Sequence, residues 1–214
     1  GLLPLPYGRG KNAPVAARDI ARVVAAVLDD PARHVAKSYR PTGPALLDPD
    51  QIAATIGKVV GRKVSYRDVL FKMMAKAAKA QGFPDFDTAN LRYYAQELAA
   101  GAFAIGGATT HVEEVTGAPP ESFEETVRRY HANPKLIAPG MTHLSTFSAL
   151  RFMAKMMLTR APDLDTFEAQ RGLPKLDHPQ LAHENPAWVQ DAEKRQLHLL
   201  KPTHTLGIVH DLAS

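Results

Sequence analysis

Asn12-Ala13-Pro14-Val15-Ala16, followed by Asp19-Ile20-Ala21-Arg22-Val23-Val24-Ala25-Ala26-Val27-Leu28, decides how this chain is read. The first five residues read as a short strand. From Asp19 the apolar residues Ile20, Val23, Val24, Val27 and Leu28 recur at i, i+3, i+4, i+7 and i+8, the spacing of one helical face expected in the core. Asp30-Pro31 ends that helix. Working outward, Lys37 to Pro41 reads as a second strand closed by a Thr42-Gly43-Pro44 turn. Asp48, Pro49 and Gln51 have the order of a capping box with proline in the first turn. Ile52, Ile56, Val59 and Val60 form the expected buried face of that helix, and Gly61 its left-handed stop. Lys63 to Val69 reads as a third strand. Strand, helix, strand, helix, strand over 12–69 is an α/β pattern. Three short strands make a poor sheet alone, so partner strands are expected upstream. The opening Gly1-Leu2-Leu3-Pro4-Leu5-Pro6 is expected to have no structure of its own. With Gly1 where a Met would stand, the expectation is that an N-terminal part is missing.

From Phe71 the pattern is mostly helical. Helices are expected over Phe71 to Gln81 and Asp87 to Ala100, the second with Leu91, Tyr94 and Leu98 on one face. A Gly/Thr loop spans Gly106 to Thr110. After Pro119-Pro120, Ser122 and Glu125 form a second capping box, with Phe123, Val127 and Tyr130 facing the core. A helix from Ser145 to about Thr159 carries apolar residues around most of its circumference, leaving a polar strip of Ser148, Arg151 and Lys155. Such a helix is buried on two sides or meets a partner chain or membrane surface. Residues 160–185 are rich in Pro, Asp and His and read as irregular. A last helix is expected from Asn185-Pro186 through Trp188 to about Leu200, and an extended tail over Thr205 to Val209.

Composition narrows the function classes. The 214 residues are 45% hydrophobic and 22% charged, ordinary values for a globular chain with a sizeable core. Absence of cysteine removes disulfides, thiolate metal sites and cysteine nucleophiles. A formal net charge of +4 is spread along the chain rather than gathered into a stripe, so no nucleic-acid partner is expected. No apolar run reaches the ~18 residues of a membrane span. A cytoplasmic location without a membrane partner is the expectation.

Motifs for chemistry are sparse. Tyr7-x-x-x-Lys11 matches the Tyr/Lys pair of typical short-chain dehydrogenases, where the lysine lowers the phenol pKa for proton exchange with a carbonyl. That pair stands on one helix, whereas Gly8 and Gly10 interrupt this one and Pro4 and Pro6 precede it, so the match is read as coincidence. Gly8-Arg9-Gly10-Lys11 reads as a surface hairpin rather than a phosphate cradle. Neither G-x-G-x-x-G nor G-x-x-x-x-G-K-[ST] is present. The nine histidines show no metal-ligand spacing; His183-Glu184 lacks a second histidine at the right distance. No G-x-S-x-G elbow is present. Glu113-Glu114 and Glu124-Glu125 read as solvent-facing helical carboxylates.

Four stretches carry a family resemblance: Lys11 to Leu28 with its Asp19-Ile20-Ala21; Tyr39-Arg40-Pro41-Thr42-Gly43-Pro44; Ile52-Ala53 through Gly61-Arg62-Lys63-Val64; and Val115-Thr116-Gly117-Ala118-Pro119-Pro120 with Phe123-Glu124 and Val127-Arg128. In this order they resemble the NmrA-like proteins, a branch of the atypical short-chain dehydrogenase/reductases, over residues 1 to about 132. The resemblance implies the C-terminal part of a Rossmann-like NAD(P)-binding fold with a mainly helical subdomain. On it, residues 1–69 are late strands and helices of the Rossmann-like domain, 70–134 a helical lid subdomain, and 135–214 an extension. NADP or NAD would be bound mainly by a missing N-terminal half, so no cofactor-binding residue is assigned here and the isolated chain is expected not to bind NADPH. The implied activity is NAD(P)H-dependent reduction of a small molecule such as a quinone or carbonyl compound. The alternative is a non-catalytic NADP(H) redox sensor that binds a partner protein. Pro6, Tyr7, Arg9, Met73, Phe83 and Tyr94 are the candidate substrate-pocket residues, chosen because open α/β sheets bind ligands beyond the carboxyl ends of their strands. No catalytic residue and no metal ligand is assigned. The helix over 145–158 is a candidate surface for a homo-oligomer.

Overall fold

A computed structural model describes residues 1–133 and 146–173, together with the isolated positions 186, 190, 193 and 194. The elements run β1 (Leu2–Leu5), α1 (Ala17–Asp29), a 3-10 turn (Pro31–His34), α2 (Pro49–Val60), β2 (Ser65–Asp68), α3 (Phe71–Gln81), α4 (Asp85–Ala99), a 3-10 turn (Ala102–Ala104), α5 (His111–Thr116), α6 (Phe123–Ala132), α7 (Thr146–Leu158) and α8 (Leu164–Gln170). The described part is a mostly helical α/β fold with a small parallel sheet. β1 pairs with β2 in parallel, Leu2 opposite Ser65 and Leu5 opposite Asp68. Parallel strands need a long crossover, here supplied by α1 and α2.

The capped helices form where the sequence places them. Asp48 accepts the Gln51 N–H at 2.8 Å while Gln51 accepts the Asp48 N–H at 2.9 Å. Gly61 ends α2 in the left-handed conformation, φ 68°, which glycine adopts without a Cβ clash. Ser122 and Glu125 make the second capping box at the start of α6. α3 runs over the expected residues, and α4 starts two residues early, after Pro84.

Most of the buried hydrophobic side chains among the described residues are alanines. Ala75, Ala78 and Ala80 of α3, and Ala89, Ala95 and Leu98 of α4, are buried. Small side chains let these two helices pack closely. α1, with Val23 buried, packs on α5, with Val112 buried, and α2 packs on α6, where Lys58 reaches Glu124 at 2.8 Å.

Several expectations give way. Leu2–Leu5 is a strand, because β2 satisfies its backbone from far along the chain. Asn12–Ala16 is not a strand: Asn12 and Leu47 exchange one pair of backbone hydrogen bonds as an isolated bridge, and Pro14 has no N–H to extend it. Residues 37–41 are not a strand either. The Arg40 N–H donates to His111 Nδ1 at 2.8 Å and its carbonyl accepts the Thr109 hydroxyl, so side chains take what a sheet neighbour would take. Residues 160–185 are not wholly irregular, since Asp163 caps α8 by accepting the Thr166 N–H at 3.1 Å. On α1, Val23 is buried, but Ile20 is 43% exposed, and Val24 and Leu28 are more exposed still. Ile52, Ile56, Val59 and Val60 are only partly covered, while Ala53 and Gly57 between them are buried. Tyr130 is partly exposed on α6 rather than in the core. α7 is not buried on two sides, for Phe147, Leu150, Met153, Met157 and Leu158 are all exposed. The expected helix from 185 to 200 lies almost wholly outside the described residues, as do His183-Glu184 and the expected tail over 205–209.

Candidate active site

The carboxyl ends of β1 and β2 point the same way, and the segments just beyond them are tied together. Tyr66 and Asp68 lie two apart on β2 and so share a face of the strand. The Tyr66 hydroxyl accepts the Tyr7 N–H at 3.3 Å and faces both the Leu5 carbonyl at 3.1 Å and Asp68 Oδ1 at 3.2 Å, either of which takes its proton. Asp68 Oδ1 also accepts the Gly8 N–H at 3.2 Å. Gly8, at φ 53°, turns the chain, and the Gly10 N–H donates back to the Tyr7 carbonyl at 3.0 Å. A Cβ on Gly10 would lie 1.8 Å from the Leu98 carbonyl oxygen. The 7–10 turn is therefore pressed onto the end of α4 and is no free surface hairpin.

That docking sets Tyr7 against Tyr94 of α4, edge to face with ring centroids 6.2 Å apart. Tyr94 meets Phe103 at 4.7 Å, and its hydroxyl accepts from Asn12 Nδ2 at 3.4 Å. Phe103 is held in turn by Arg40, whose guanidinium donates to the Phe103 carbonyl at 3.0 Å and to the Ile105 carbonyl. Thr42 and Thr109 fasten the same loop, the Thr109 N–H donating to Thr42 Oγ1 at 2.8 Å. A Cβ on Gly43 would lie 2.1 Å from the Pro14 carbonyl oxygen, so only glycine fits there. Residues 39–44 thus act as a clamp beneath the aromatic group.

Burial pushes the phenols of Tyr7 and Tyr94 up from their ordinary value, with Tyr94 adding to the effect on Tyr7. Burial pushes Tyr66 up to about 12. All three hydroxyls are therefore protonated at neutral pH and act as hydrogen-bond donors rather than phenolate bases. This is opposite to a lysine-activated tyrosine, and Lys11 is exposed beyond a turn rather than beside Tyr7 on a helix.

Of the six candidate pocket residues, the structure brings together the half-buried Pro6, Tyr7 and Tyr94. Arg9 points out at the turn, exposed. Met73, in the first turn of α3, and Phe83, just past its Gly82 cap, are both exposed. Tyr66, Asp68, Asn12 and Phe103 join the site although no motif singles them out. Only the i, i+2 pair Tyr66/Asp68 on an expected strand was a usable signal. Among the described residues no three His, Asp or Glu side chains gather to hold a metal ion.

The chain is 32% identical over 130 residues to an NAD(P)H azoreductase from Xenophilus azovorans, a match covering 60% of this chain and 44% of that protein. Its backbone superposes on an NADPH-dependent quinone oxidoreductase from Escherichia coli with a TM-score of 0.55 at 25% identity, over 61% of this chain and 46% of that one. A triphenylmethane reductase from Citrobacter sp., solved with NADP(H), shares the fold at TM-score 0.53 and 20% identity, over 60% and 44% of the two chains. These are NmrA-like proteins, and this chain matches them over about 60% of its length. The match spans under half the length of each relative. No family model matches the chain.

The 7–10 turn is not an open phosphate cradle. A pyrophosphate needs backbone N–H groups free at a glycine-rich turn or helix start. Here the Gly8 N–H is taken by the Asp68 carboxylate, whose charge opposes a phosphate, and the Cβ positions of Gly10 and Gly43 are filled by the chain's own backbone.

Proposed function

We propose that this chain forms the substrate side of an NAD(P)H-dependent oxidoreductase acting on a flat small molecule such as a quinone or carbonyl compound. In this reading it is the C-terminal part of a Rossmann-like fold, and NADP or NAD is held mainly by a complementary N-terminal half. The observation that carries it is the Tyr7–Tyr94–Phe103 aromatic group just beyond the carboxyl ends of two parallel strands, where such sheets bind ligands. Aromatic faces favour planar substrates by stacking. The Tyr7 hydroxyl, kept protonated by burial, donates a hydrogen bond to a substrate oxygen as negative charge develops on it. The names of the matched reductases support the same class of chemistry. No step of the reduction is assigned to Lys11.

The test is NADPH oxidation by this chain joined to its complementary half, against a panel of quinones, carbonyl compounds and azo dyes. Turnover that falls at least tenfold in Tyr7→Phe supports the reading. NADPH binding without turnover across the panel favours a redox sensor instead. The chain alone is expected to give no heat with micromolar NADPH, and binding there would overturn the assignment of the cofactor to the other half.

A further inference from the structure

On α7, taken at 100° per residue, the exposed Phe147, Leu150, Met153, Ala154, Met157 and Leu158 fall within an arc of about 140°. Phe152 and Met156, more covered, lie on the opposite side, where α7 packs on α3. Exposed Arg151 and Lys155 sit between the two faces, along one flank of the apolar arc. The neighbouring α3 adds Lys72, Lys76 and Lys79, and Lys76 Nζ donates to the Met157 carbonyl at 3.3 Å, fixing the two helices side by side. Neither helix contains an Asp or Glu. The nearest acidic partner recorded for this group is Asp85, 3.9 Å from Lys79. Leu70 and Met73, at the start of α3, are exposed as well.

Against the expectation of no membrane partner, we infer that the α3–α7 face lies on an anionic lipid surface. An interfacial helix needs an exposed apolar arc to enter the headgroup boundary and basic side chains on its flank to meet anionic headgroups. α7 has both, and its lysine and arginine stems are long enough to snorkel back to the charged layer. A membrane span requires a long apolar helix, which no described helix provides; lying on the surface does not. A second copy is the less suitable occupant, because a two-fold contact brings the same basic flank against itself with no carboxylate on either helix to answer it.

Co-sedimentation of the full 214-residue chain with vesicles of equal parts phosphatidylglycerol and phosphatidylcholine tests this. The chain is expected to pellet with these vesicles, not with phosphatidylcholine alone, and to be largely released by roughly 0.5 M salt, as screening of surface charge requires. Arg151→Ala with Lys155→Ala is expected to weaken binding about 25-fold, roughly fivefold per charge. Leu150→Glu, at an exposed position, is expected to abolish binding with an unchanged circular dichroism spectrum. Equal binding to both vesicles, no binding to either, or binding unaltered in Leu150→Glu would overturn the inference. So would a dimer in sedimentation equilibrium that Leu150→Glu dissociates, which would give this face to a second copy.

Discussion

Asp19 Oδ2 accepts the backbone N–H of Glu121 at 2.7 Å, joining residues 102 apart in sequence. Its other oxygen takes the Arg22 guanidinium at 2.7 Å, and Arg22 in turn donates to the Pro119 carbonyl at 3.0 Å. Asp19 is 1% exposed. The aspartate of the Asp19-Ile20-Ala21 motif therefore fastens the start of α1 to the loop that leads into α6. Its role is structural, linking two of the stretches through which the chain resembles its relatives.

Asp19→Ala leaves the Glu121 N–H and one side of Arg22 without their partner. The expected loss is about 2–4 kcal/mol of stability, since these are charge-assisted bonds to a buried group. Asp19→Asn is expected to lose less, because one oxygen can still accept. Chemical denaturation of both variants checks the order, and equal losses would contradict it.

Gly10→Ala drives a methyl group into the Leu98 carbonyl. The turn must lift off α4, at a cost of about 1–3 kcal/mol, and Tyr7 must move away from Tyr94. Hydrogen exchange at the backbone amide of position 10, bonded to the Tyr7 carbonyl in the parent, is expected to quicken. A variant as stable and as protected as the parent would show that the turn is not docked.

Tyr66 is held neutral, its phenol raised from 10.0 to about 12 chiefly by burial. In the window between those values the folded chain keeps a proton that the unfolded chain has lost. Stability is thus fully present below about pH 10 and declines as pH rises through about 12. The denaturation midpoint is expected to fall across that window. In Tyr66→Phe the baseline stability is lower but the fall is shallower. Ultraviolet absorbance of the ionised phenol should show one fewer late-titrating group in that variant.

The apolar repeat on α1 divides into a covered and an uncovered side. Val23→Asp places a charge at a buried position of α1 and is expected to cost about 3 kcal/mol or more. Ile20→Asp, at a 43% exposed position, is expected to cost about 1 kcal/mol or less in this chain. The helical period alone would make both severe. Thermal melts of the two variants separate these views.

How far each element was legible in the sequence depends on the range of the interactions that hold it. α2, α3 and α6 were readable because their caps are local: Asp48 with Gln51, Ser122 with Glu125, and a glycine at the end of α2 and of α3. β1 was not, because its partner lies beyond two helices and Pro4 disguises it as a loop. The stretch 37–41 has extended-looking residues whose backbone groups bond to His111 and Thr109, which no local pattern reveals. At the site, Tyr94 was reachable from its place on a helix face and Tyr7 only as part of a glycine-rich loop, the strand before it being hidden. Phe103 was not, since only the Arg40 clamp brings it to them.

The pairing of Leu2 with Ser65 also sets an order of events during synthesis. β1 leaves the ribosome well before its only described sheet neighbour exists, by roughly 3 to 13 s at typical elongation rates. Through that interval the backbone groups of β1 that will pair with β2 are unmatched. Pro4 sits at a register position whose nitrogen faces away from β2, so the missing donor costs this ladder no hydrogen bond.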